Sequence, residues 1–126
     1  MIDAGQRKVI PEMRKRGIRV LPGGDYGFVQ NPHGREAWEL KLFQKKFGYQ
    51  PAEILAAATS GGAWLMDMSD ELGQIKPGFI ADLLVVDGDP LQDITIMQDK
   101  NRLALIMKEG VAHKQSLPTR VPELVA

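Results

Sequence analysis

The sequence has no cysteine and only two histidines, His33 and His113. Disulfide stapling and thiolate metal sites are therefore excluded, and the lack of thiols is compatible with a reducing cytoplasm. A catalytic metal centre takes about three protein ligands plus an open position, and the histidines number only two. Net charge is also lacking. Sixteen Lys and Arg balance sixteen Asp and Glu, so no global field draws nucleic acid or an anionic membrane surface. Arg14, Lys15 and Arg16 form the only basic cluster near the N-terminus, and a solvated helix face accounts for it. No apolar run approaches bilayer-spanning length, and Met1 to Gln6 lack the apolar core of a leader peptide. A soluble, cytoplasmic protein with neither membrane nor nucleic acid as partner is the expectation. Glycines Gly23 and Gly24 are not followed by Gly-Lys-Ser/Thr, so they form no phosphate loop.

What is present reads as alternating helical and extended segments. Val9, Ile10 and Met13 fit an amphipathic helix stopped by Gly17, with cationic residues in its last turn. Ile18 to Leu21 then read as a short apolar strand that runs into Pro22-Gly23-Gly24-Asp25. Asn31-Pro32 resembles an N-cap followed by proline at the first helical position, opening a helix with Ala37, Trp38, Leu40, Phe43 and Phe47 on one face. Gly48 ends it. Pro51 starts a further helix through Leu65, in which Gly61 and Gly62 imply either close packing or a local break, because a mid-helix glycine costs roughly 1 kcal/mol relative to alanine. From Gly73 onward the periodicity shortens to strands at Ala81–Val86, Leu103–Met107 and Val111–Lys114, with a tight turn at Glu109-Gly110. Asp87 and Asp89 precede Pro90 without the further ligands of a calcium loop, so they read as a turn.

Two blocks carry more than periodicity. One is Ala81-Asp82-Leu83-Leu84-Val85-Val86-Asp87-Gly88-Asp89-Pro90, entered by Gly73-Gln74-Ile75-Lys76-Pro77-Gly78 and followed by Met107-Lys108-Glu109-Gly110. The other is Val20-Leu21-Pro22-Gly23-Gly24-Asp25-Tyr26-Gly27, followed by Pro32-His33-Gly34. Together these blocks resemble the end of the amidohydrolase superfamily of metal-dependent hydrolases. The likeness spans about residues 9–114. It implies an α/β fold, the terminal portion of a TIM-barrel-type enzyme. On that reading residues 1–70 hold the last αβα units, residues 71–114 a small β-sheet element, and residues 115–126 a tail. A whole (β/α)8 barrel takes about 250 residues, so the chain is expected to be a catalytically incomplete fragment. The rival expectation is a non-enzymatic α/β domain that self-associates.

The resemblance also implies a chemistry. The parent type hydrolyses amide or other C–N bonds with water activated by divalent metal, commonly zinc, and the matching acid after the last barrel strand faces the metal and shuttles the water's proton. Carried over, that role falls on Asp25, as catalytic base and as a metal ligand only alongside ligands from segments not in this sequence. Here Pro22-Gly23-Gly24-Asp25 replaces the commoner Gly-Thr/Ser-Asp form. Asp25 has an equally good alternative, a turn aspartate capping nearby backbone amides. His33 is a candidate substrate contact, or an exposed loop histidine; Tyr26 lines the same mouth or packs. No role is assigned to His113. Asp25 and His33 are expected to share a concave mouth at the end of the Ile18–Leu21 strand. No metal is expected to be held by this chain alone, and its expected partner is a second copy or a missing N-terminal portion.

Overall fold

The computed structural model describes residues 4–116. Four helices precede a small sheet: α1 (Ala4–Lys15), α2 (Trp38–Phe47), α3 (Pro51–Ala58) and α4 (Ser60–Leu65), then β1 (Leu83–Val86), β2 (Leu103–Lys108) and β3 (Val111–Gln115). Two short 3-10 helices, Ile94–Gln98 and Lys100–Arg102, join β1 to β2. Asp93 and Asp99 cap them by accepting the N–H of Thr95 and Asn101 at 2.9 Å each. The tail expected from residue 115 lies almost wholly outside the described residues.

Each helix end has a local cause. Helix α2 stops where Gly48 turns left-handed and its N–H returns to the Phe43 carbonyl. Helix α3 starts with Pro51 at its first position and a reciprocal capping box in which the Gln50 N–H donates to Glu53 at 2.7 Å. The helix expected from Pro51 through Leu65 is divided at Thr59, where φ is −112° and ψ −87°, two residues before the Gly61-Gly62 pair that implied close packing or a local break. The thin glycine surface packs closely as well: a Cβ on Gly61 would stand 2.7 Å from Leu21 Cδ2.

Two expectations need correction. Ile18 to Leu21 do not form a strand. The Ile18 N–H returns to the Met13 carbonyl at 3.0 Å, and no backbone hydrogen bond joins Arg19, Val20 or Leu21 to another described residue. A strand exists only through its neighbours, and none pairs with this segment among the described residues. The second correction concerns Asn31-Pro32, which does not open α2. Asn31 closes a small turn, its N–H donating to Phe28 and its carbonyl accepting from Gly27, at 3.0 and 2.9 Å. With Asn31 so engaged, the helix begins only at Trp38, after turns that are closed by the Trp38 and Glu39 amides.

The sheet follows the sequence closely. Its order is β1-β2-β3, both pairs antiparallel, with Leu84 opposite Ile106 and Lys108 opposite Val111. Glu109 and Gly110 join β2 to β3 with φ of 51° and 82°, the positive pair that a two-residue hairpin turn requires. The core lies elsewhere. Leu40, Phe43, Phe47, Tyr49, Ile54 and Ile94 form one buried cluster, with Ile10, Val20, Leu55 and Met97 packed against it. Phe43 meets Phe47 edge-on at 5.5 Å and Tyr49 at 5.2 Å. Ile54 and Ile94 are fully buried, and such side chains contribute about 1.5–3 kcal/mol each by leaving water. Because Ile94 comes from the segment between β1 and β2, the helical part and the sheet-bearing part share this core.

Candidate functional site

The loop between α1 and α2 carries Asp25, and α2 holds that loop in place. Glu39, in the first turn of α2, accepts the N–H of Gly23 and of Gly24 at 3.0 Å each through the same carboxylate oxygen. The Tyr26 hydroxyl reaches that oxygen at 3.3 Å and the Glu36 carbonyl at 3.2 Å. Burial, then the Glu39 charge and hydrogen bond, push the Tyr26 phenol up to about 12. From the other side, the Asn31 side-chain amide donates to the Asp25 carbonyl at 2.8 Å. The Asp25 backbone is thus fastened on both flanks.

The Asp25 carboxylate accepts no hydrogen bond and joins no ion pair among the described residues, and it is exposed. This separates two uses of a turn aspartate. Asp82, Asp89, Asp93 and Asp99 each spend their side chains on backbone amides, those of Glu109, Leu91, Thr95 and Asn101. Asp25 does not cap its turn, so it remains available to something else.

His33 stands near by but apart. Its ring nitrogen Nε2 would lie 3.3 Å from a Cβ on Gly27, and Nδ1 is 3.7 Å from the Glu36 carboxylate. The His33 side chain is 79% exposed. The Gly34 N–H, donating at 2.9 Å, is the first cause that lowers the Glu36 carboxyl, with the His33 charge a smaller one. A concavity of about 600 Å³ between α2, α3 and the sheet is lined by Gly23, Tyr26, Trp38, Leu55, Leu84 and Met97 among others. Asp25 and His33 line neither it nor a second concavity of about 560 Å³ beside α4. The structure therefore brings Tyr26 and Glu39 together, and leaves Asp25 and His33 on exposed loop positions outside both hollows. His113 lies on exposed β3.

Glu39 is the residue that sequence reasoning missed. Its partners lie fifteen and sixteen residues away in the chain, and such a side-chain-to-loop contact leaves no periodic trace. A single signal pointed its way, an acidic residue in the first turn of a helix that follows a glycine pair. No three or more His, Asp or Glu side chains converge as metal ligands among the described residues. The described residues do not by themselves fit a divalent ion.

Comparison with known proteins agrees with the motifs. The sequence profile of the amidohydrolase family matches residues 2–112. Imidazolonepropionase of Rubrobacter xylanophilus is 32% identical over 71 residues, which are 56% of this chain and 17% of that protein. Ochratoxinase of Aspergillus niger is 29% identical over 101 residues, 79% of this chain and 20% of that one. The crystal structure of the A. niger ochratoxinase superposes with a TM-score of 0.77 at 26% identity, covering 86% of this chain and 24% of its own. A Xaa-Pro dipeptidase with methionine in its active site gives 0.75 at 25% identity over 86% of this chain and 25% of its own. The chain thus spans about a sixth to a quarter of the length of these relatives. Taken with the glycine-flanked Asp25 turn and the Leu83–Val86 strand, the profile match places this chain in the amidohydrolase family.

Proposed function

We propose that the chain is the C-terminal portion of a TIM-barrel-type amidohydrolase that hydrolyses amide or other C–N bonds, and that Asp25 is its proton-accepting carboxylate. The observation that carries this reading is the state of Asp25: its backbone is fastened by Asn31 and, through Gly23 and Gly24, by Glu39, while its carboxylate has no partner among the described residues. A general base needs that combination, a fixed location and lone pairs not already engaged. In the proposed reaction water attacks the carbonyl carbon, Asp25 takes the proton that the water loses, and the proton passes to the departing nitrogen. This class of reaction is supported by the amidohydrolase profile match and by the likeness to an imidazolonepropionase, an ochratoxinase and a Xaa-Pro dipeptidase. The family's divalent metal would need ligands beyond the described residues.

His33 is proposed as a substrate contact rather than as a participant in proton transfer. Its exposure and the neighbouring Glu36 suit a hydrogen bond to a polar substrate edge. The reading is tested by grafting residues 4–116 in place of the matching quarter of A. niger ochratoxinase and assaying that enzyme's own hydrolysis. Turnover by the graft is the expected result. A graft with native circular dichroism and no turnover would speak against the assignment.

A further inference from the structure

We propose that Glu39 is the positioning residue of the Asp25 turn, its carboxylate clamping the two amides that precede Asp25 and so fixing where the Asp25 carboxylate is presented. The inference rests on the reading of Asp25 as the reacting acid and extends it to a residue in another element. One oxygen of Glu39 accepts both Gly23 and Gly24 at 3.0 Å, and hydrogen bonds to an ionised acceptor are roughly twice as strong as neutral ones. The clamp is only as rigid as its base. Helix α2 is anchored by the buried Leu40, Phe43 and Phe47, and Leu40 directly follows Glu39, so the Glu39 side chain carries the order of the core to the Gly23 and Gly24 amides. Tyr26 adds a third donor to the same oxygen and ties the residue just after Asp25 to the same point.

The two sides of the turn are held differently. Upstream, the clamp is a charge on backbone amides; downstream, the Asn31 amide holds the Asp25 carbonyl at 2.8 Å. Removing Glu39 frees the upstream side and one contact of the Tyr26 hydroxyl, and leaves the Asn31 contact in place. The charged and titratable groups facing this point are Tyr26 and Glu36.

The test is amide hydrogen exchange of the uniformly labelled chain together with NMR pH titration of the Tyr26 phenol, compared with Glu39→Gln and Glu39→Ala. In the parent, the Gly23 and Gly24 amides are protected. The Glu39→Gln variant keeps an accepting oxygen without charge, so protection survives and the Tyr26 phenol moves down from about 12. Glu39→Ala loses protection at both glycines by at least about tenfold and shifts the Asp25 and Asn31 side-chain resonances, while β2–β3 amides stay unchanged. If Glu39→Ala also unsettles the sheet, protection at Gly23 and Gly24 and the Tyr26 phenol in Glu39→Gln decide. Unaltered protection and Asp25 shifts in Glu39→Ala, or an unmoved Tyr26 phenol in Glu39→Gln, would overturn the proposal. Either failure leaves the role of Asp25 itself untouched, because that role is read from turnover and not from these amides.

Discussion

Glu39 and Gly24 meet across fifteen residues of chain, the Gly24 N–H donating to the Glu39 carboxylate at 3.0 Å, and with Gly23 bound the same way this contact ties the loop before Asp25 to the helix after it. Because Glu39 and Gly24 are half-buried while Gly23 is exposed, Glu39→Ala is expected to cost roughly 0.5–1.5 kcal/mol through the lost hydrogen bonds. Urea unfolding checks the size. A cost indistinguishable from zero would mean that water replaces the carboxylate freely.

The raised Tyr26 phenol sets a pH window. Its folded value of about 12 lies above the ordinary value of 10.0, so the folded state holds the proton where the unfolded chain has released it. The stabilisation is fully present below pH 10 and is lost as pH rises toward 12. Tyr26→Phe should abolish that decline. An identical alkaline stability profile in the variant would contradict the assignment of Tyr26 as its source.

Gly73 is expected to be intolerant of any side chain. Its φ is +81°, and a Cβ there would stand 2.8 Å from the Thr59 carbonyl oxygen and from Ala63 Cβ, and 3.0 Å from Ser60 Cα. These neighbours are mostly backbone and cannot swing away. Gly73→Ala should destabilise by roughly 2–4 kcal/mol, adding left-handed strain to overpacking. Thermal unfolding measures it, and an unchanged midpoint would show that the α4 end yields.

Ile94→Ala should cost roughly 2–5 kcal/mol, since it empties a fully buried position. Ile94 joins the helical cluster to the segment between β1 and β2, so the loss should lower both parts together. Probes on Trp38 and on the β2–β3 amides would then melt in one transition. Separate transitions would show that the two parts do not share the core cooperatively.

Much of the fold was legible in the sequence, for physical reasons that also explain the rest. The strands β1 to β3 and their turn are local: apolar runs of β-forming residues and a Glu-Gly pair suffice to place them. Leu40, Phe43 and Phe47 recur at helical spacing and do form the core. What was misread depends on partners remote in sequence. Ile18 to Leu21 have a strand's composition but no paired strand among the described residues, and Asn31 has a helix cap's chemistry but spends it on Asp25. Ile94 enters the core from a 3-10 turn that no periodicity announces. Asp25 was found through motif resemblance, whereas Glu39, which holds its turn, left no comparable mark.

Exposed Trp64, Leu65 and Met66, 48, 68 and 58% accessible, close α4 on an apolar surface. Patches of this kind favour association, and we propose self-association of the isolated chain. Sedimentation at micromolar concentration should show a species heavier than the 14.0 kDa chain. A single species of one-chain mass would refute it.

The central claim is that Asp25 accepts a proton during C–N bond hydrolysis. The most direct measurement is the turnover of the ochratoxinase graft bearing residues 4–116, with Asp25 intact and with Asp25→Asn, which keeps the shape of the side chain and removes its basicity. Turnover should fall by about 10²–10⁴-fold in the variant with KM little changed and the fold retained. An Asp25→Asn graft as active as its parent would contradict the account.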